Sequence, residues 1–125
     1  MKKTIVEFLA VGGGGAIGAM ARFAVSRAFA WSTFPIGTLV INITGSLFLG
    51  WFATFAGKRL GMPETLYMAI AIGFVGAYTT FSTFMYESDK LFGDGAFLSA
   101  TLYLVGSVVL GLLAVQGGIL LGQRF

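Results

Sequence analysis

Neither histidine nor cysteine occurs anywhere in the 125 residues. The first absence removes the side chain that most often works as a general base near neutral pH. The second removes thiol nucleophiles, and together they remove the usual zinc and transition-metal ligands. Charge is also scarce, at 10% of residues against 57% apolar, which lies far outside the usage of soluble globular domains. The five acids are Glu7, Glu64, Glu87, Asp89 and Asp94, all near the ends of apolar runs or between them. A proton-coupled carrier needs a titratable group inside the membrane, so this placement counts against that class.

What is present is uncharged length. Four runs carry no charge: Phe8 to Ala21, Ala28 to Gly57, Thr65 to Tyr86, and Gly95 to Gln123. About 20 apolar residues cross the hydrocarbon core, so the last three qualify outright and the first qualifies if it continues past Arg22. The reading is an all-α integral membrane protein, a single transmembrane domain of four helices over about 4–29, 34–57, 64–87 and 95–123. No length remains for a catalytic domain, and an enzyme is not expected.

The net charge of +3 would point toward nucleic acid in a soluble chain; here the bases flank the spans and the bilayer is the partner. Lys2, Lys3, Lys58, Arg59 and Arg124 fall on one side of a four-span topology, and Arg27, Lys90 and possibly Arg22 on the other. This is only a weak bias toward cytoplasmic termini. The start also has features of a secretory signal, a Lys pair and "AMA" at Ala19 to Ala21, but Glu7 and a glycine-rich core argue against cleavage.

Glycine fills 19 positions. In "VGGGGAIGA", Gly13, Gly15 and Gly18 fit GxGxxG, yet a dinucleotide site also needs an acid about 20 residues on, and none follows Glu7 before Glu64. Close helix packing is the stronger reading: Gly12, Gly15 and Gly18 stand three apart, Gly14 and Gly18 four apart, and small residues recur in the later spans.

Polar side chains sit deep in the spans. Asn42 lies at the middle of the second run, where an unpartnered amide costs several kcal/mol, of order 2 to 7 by transfer scales. Thr38, Asn42 and Ser46 share a helix face, as do Ser99, Tyr103 and Ser107, with Gly111 continuing the second stripe. These stripes either glue helices together or line a common path. Arg22 either snorkels to the interface or forms an electropositive lip for an anion. In "GFVGAYTTFSTF", Gly76, Thr79 and Thr80 combine low helix propensity with hydroxyls that compete for backbone bonds, which predicts a helix break near mid-membrane. Freed carbonyls there favour a cation, whereas Phe81 and Phe84 beyond the break can offer positive ring edges to an anion.

Together "GGGGAIGAMARF" (Gly12 to Phe23), "GTLVINITGSLFLG" (Gly37 to Gly50) and "GFVGAYTTFSTF" (Gly73 to Phe84) resemble the Fluc (CrcB) fluoride channel family over essentially the whole chain. The TTFSTF run with a central Asn in the preceding span is the specific part. The resemblance implies a passive fluoride channel in the bacterial cytoplasmic (inner) membrane, built as an antiparallel, dual-topology homodimer. It implies a fluoride path of Asn42, Phe81 and Phe84, with Tyr103 and Ser107 on a polar track, Thr83 and Thr38 as nearby hydroxyls and Arg22 near a vestibule. It further implies a structural sodium ion held by the backbone carbonyls of Gly76 and Thr79. Gly111 departs from the pattern, since some members carry a serine there. Two alternatives stand beside this reading: a small four-span proton-coupled multidrug antiporter, and a non-transporting assembly subunit built on the glycine stripes.

Overall fold

A computed structural model describes residues 1–59 and 61–125. The chain is a multi-pass membrane protein whose four helical spans run Lys2–Ala28, Ile36–Gly57, Glu64–Gly93 and Phe97–Arg124. The first of these, α1 (Lys2–Ala28), carries on through Arg22, and the second, α2 (Ile36–Gly57), starts directly after Pro35, where a missing N–H costs nothing.

The third span is composite. α3 (Glu64–Tyr67) begins after Pro63, widens into a π-helical segment (Met68–Phe74) and tightens again as α4 (Val75–Tyr78). The helix then stops: Thr79 is extended, with φ −81° and ψ 160°, and helix resumes at α5 (Ser82–Gly93). The expected break is therefore present, but it occupies residues 79–81 and not Gly76, which is helical. The span also runs on to Gly93 and not to residue 87, so Glu87 lies inside a helix and not at its end.

At its far end α5 closes with a turn in which Ala96 N–H reaches Leu91 O at 2.9 Å and Gly95 N–H reaches Phe92 O at 3.0 Å. Gly95 takes φ +77°, a left-handed conformation that suits glycine, and the chain turns back as α6 (Phe97–Arg124).

Two parallel pairs form the bundle. α1 lies along the first half of the third span, and α2 lies along α6. Each pair is a backbone-to-backbone contact made possible by missing side chains: a side chain at Gly18 would run into the Phe74 backbone, and one at Gly118 into the backbone of Leu47 and Trp51. Lipid gives helices no hydrophobic reason to associate, so such close approach supplies the van der Waals energy that holds them. The glycine stripe expected in α1 is thus real at Gly14 and Gly18, whereas Gly12 and Gly13 face open space. At one end of the second pair the Lys58 ammonium donates to the carbonyls of Gly122 and Gln123, where the negative end of α6 favours a cation.

The break lets the third span change partners. Its first half belongs to α1, while α5, beyond the break, packs on α6. Residues 79–81 are where the chain crosses between the two pairs, next to the middle of α2.

Candidate functional site

A non-helical stretch inside a bundle leaves peptide groups that no helix satisfies, and each must find a partner or face a polar cavity. α2 supplies the main partner. Asn42 Nδ2 donates to Thr80 O at 3.0 Å, and Thr80 N–H donates to Asn42 Oδ1 at 2.9 Å. The side-chain amide thus pairs reciprocally with one residue of the break, which resolves the cost of placing it deep in the span. One hydrogen of the Asn42 amide nitrogen remains over, since that group carries two donors.

This pairing has a second consequence. A continuing helix would deliver the N–H of Thr80 to Gly76 O and the N–H of Thr83 to Thr79 O. Instead, Thr80 N–H goes to Asn42, and Thr83 N–H goes to Thr80 Oγ1 at 3.3 Å. The carbonyls of Gly76 and Thr79 therefore lose their helical donors.

Two polar cavities flank the Asn42–Thr80 pair. One, of about 470 Å³, is lined by Asn42, Ser46, Gly76, Thr79, Phe81 and Phe84 among others. The other, of about 340 Å³, is lined by Arg22, Ser26, Thr38 and Thr83, with Thr80 facing both. The sequence-predicted residues of α1, α2 and the third span are thus brought together in two groups, not along one continuous wall, and Tyr103 and Ser107 line neither cavity.

The two phenylalanines differ. Phe81 is 72% exposed and presents its ring to the first cavity, while Phe84 is buried. Phe84 meets Tyr103 with ring centroids 5.0 Å apart and planes at 88°, and Tyr103 meets Phe34 in the same manner at 5.5 Å and 77°. These perpendicular pairs are the arrangement that the ring quadrupole favours, and they fix the orientation of Phe84. The buried Tyr103 hydroxyl then donates to Glu87 Oε1 at 3.2 Å.

One turn further along α6, Ser107 Oγ is buried and has no hydrogen-bond partner among the described residues. Gly111, the departure in the stripe, faces Ser46 of α2: a methyl group there would stand 3.9 Å from Ser46 Oγ, in ordinary contact. The hydroxyl at that level therefore comes from the neighbouring helix.

Sequence reasoning missed three participants. Thr80 reads from the sequence as a helix breaker, and its pairing with a residue 38 positions away has no local signal. Glu87 reads as a span end because a charge usually marks one, and its bond with Tyr103, 16 positions on, has no local signal. Ser26, four after Arg22, lines the same cavity as Arg22.

The family model described as "CrcB-like protein, Camphor Resistance (CrcB)" matches residues 9–119. Among curated relatives, the fluoride-specific ion channel FluC of Trichormus variabilis is 44% identical over 125 residues, covering 96% of this chain and 90% of that protein. The protein of the same name from Maridesulfovibrio salexigens is 40% identical over 121 residues, covering 94% and 95%. Fluoride-specific ion channel FluC 2 of Geobacillus kaustophilus is 45% identical over 114 residues, covering 89% and 88%. The relatives carry the names of ion channels and not of enzymes.

Proposed function

This chain belongs to the CrcB-like family, and on that footing we propose that it is a fluoride-selective channel through which the ion leaves the cytoplasm passively, down its gradient. The observation that carries the reading is the cavity that joins the spare donor of Asn42, the Ser46 hydroxyl and the exposed ring of Phe81. A small hard anion gives up hydration only to donors that replace it. An amide N–H, a hydroxyl and positive ring edges do so without a full charge that would trap the ion. Thr38, Thr83 and Arg22 form an approach on the other side of the Asn42–Thr80 pair, with the guanidinium raising the local anion concentration. Ser107, whose hydroxyl has no partner among the described residues, continues the donor series along α6, while Tyr103, its proton given to Glu87, holds Phe84 in place.

The donor set also fits a structural sodium ion. Carbonyl oxygens are hard, neutral ligands suited to an alkali cation, and those of Gly76 and Thr79 are among the carbonyls whose helical donors are lost at the break. When bound, the cation supplies a fixed positive charge beside the anion cavity and neutralises the carbonyl dipoles. The chain itself contributes the fixed backbone: Asn42 holds Thr80, and Thr79 Oγ1 returns to Val75 O at 2.9 Å.

The working form in this proposal is an antiparallel, dual-topology homodimer in the bacterial inner membrane. Two features support it: the weak asymmetry of flanking bases, which gives neither orientation a clear preference, and a first cavity that stands open on one side of the lone bundle. The test is efflux from liposomes followed with a fluoride electrode. Fluoride should pass at least a hundredfold faster than chloride, and equal passage of the two ions or passage of neither would overturn the proposal.

A further inference from the structure

The break is held by α2 at three successive residues, of which the site described so far uses one. Thr80 is paired with Asn42. Thr79 sets its methyl group into the space left by Gly45, where any side chain would collide with it. Tyr78, the last helical residue before the break, places its hydroxyl 2.9 Å from Thr44 Oγ1. The direction of that last bond can be assigned. Thr44 donates its single hydroxyl proton to Val40 O at 2.6 Å, so Tyr78 must be the donor and Thr44 the acceptor.

The placement of this pair is notable for its surroundings. It borders an apolar cavity between α1, α2 and the third span, lined by Ile17, Val25, Phe48, Ile70 and Phe74. The pair lies on the lipid-facing side of the bundle, where a hydroxyl has no water to fall back on, so the bond to Thr44 is what satisfies Tyr78, Thr44 itself being satisfied by Val40 O. The ring itself is already fixed, stacked on Phe74 with centroids 5.9 Å apart and planes at 5°. The hydroxyl is therefore not needed to bury the ring; what it adds is a tie between the end of α4 and α2.

We propose that Tyr78, through Thr44, is a positioning residue that fixes the end of α4 so that the Gly76 and Thr79 carbonyls are aligned before a cation arrives. The inference rests on the sodium reading given above. The two carbonyls lie two residues before and one residue after Tyr78, and a peptide chain anchored at 78, 79 and 80 cannot rotate either carbonyl independently. With the Tyr78 anchor lost, Asn42 and the Thr79 methyl against Gly45 still hold the break but the end of α4 is free, and part of the ordering must be done when the cation binds, which lowers its apparent affinity.

Tyr78→Phe deletes one oxygen and keeps the stacked ring; Thr44→Val deletes the acceptor from the other side. Flux of fluoride is measured in liposomes over a sodium titration against N-methylglucamine, and amide exchange is measured across residues 78–83 in sodium-free protein. Each variant should raise the half-saturating sodium concentration about fivefold, the scale of one lost hydrogen bond, with unchanged flux at saturating sodium. Amide exchange at Thr79 and Thr80 should accelerate by a similar factor, and the double variant should be no worse than either single one. A flux lowered by one factor at every sodium concentration would mark a merely structural role and overturn the proposal, as would unchanged exchange. A wild-type protein indifferent to sodium would overturn the sodium reading and this inference with it. A sodium-dependent wild type with a superimposed Tyr78→Phe curve would overturn this inference alone.

Discussion

From Glu64 to Tyr78 the third span lies against α1 with backbones in contact at Gly14, Gly18 and Gly73, while beyond the break α5 lies against α6 through aromatic rings and a hydroxyl–carboxylate bond. The first half is held to α1 by shape and contributes to the candidate site only at its far end, where Val75 and Gly76 line the first cavity. The second half is held by directional contacts whose geometry depends on each ring and each oxygen. The non-helical residues between them inherit both requirements: a firm base on one side and oriented groups on the other. The proposal of two ions of opposite sign within a few residues rests on this division, with freed carbonyls before the break and aromatic rings at and beyond it.

The largest effect is expected where shape alone carries the contact. Gly18→Leu forces a side chain into the Phe74 backbone and should cost about 3 kcal/mol or more, read as loss of monodisperse protein on size-exclusion chromatography in detergent. Asn42→Ala comes next. It strands both the N–H and the carbonyl of Thr80, at about 1–3 kcal/mol for each buried group, and should abolish measurable fluoride flux. Asn42→Asp is milder for the fold, since a carboxylate still accepts from Thr80 N–H, but it cannot donate to Thr80 O and it repels the anion; flux at neutral pH should fall more than tenfold.

The two phenylalanines then sharpen the comparison. Phe84→Ile breaks the perpendicular contact with Tyr103 and should lower both flux and thermal stability, the latter by about 1 kcal/mol. Phe81→Ile acts on an exposed ring and should lower flux to a similar degree with stability unchanged. Equal loss of stability in both would mean that the rings serve packing alone. The smallest effect is expected from Gly111→Ser, which meets Ser46 at ordinary contact distance and should change stability by less than about 0.5 kcal/mol.

Much of this was legible in the sequence because it rests on local chemistry. Four uncharged runs give four spans, glycine spacing gives close helix pairs, and the cluster of Gly76, Thr79 and Thr80 gives an interrupted helix. The interruption came out displaced because propensity identifies weak helix formers, whereas the actual stop is set by what competes for the backbone. Gly76 stays helical, and its carbonyl is freed by the capture of Thr80 N–H from across the bundle. Nothing near Gly76 announces that capture. The end of α5 was misplaced for a related reason: Glu87 looks like a boundary until Tyr103 is seen to satisfy it, and Ser88 is buried by donating to Phe84 O at 2.7 Å. The division of the site into two cavities likewise depends on where α1 and α2 converge on Thr80, a long-range fact that no helix face records.

The central claim is that the groups beside the break pass fluoride because they offer ring edges and neutral donors, not a charge. The most direct measurement is the fluoride flux of Phe81→Ile in liposomes at saturating sodium, beside the wild type and with size-exclusion profiles matched. The account predicts fluoride flux reduced at least tenfold in an intact, equally stable protein; wild-type fluoride flux in that variant would contradict it.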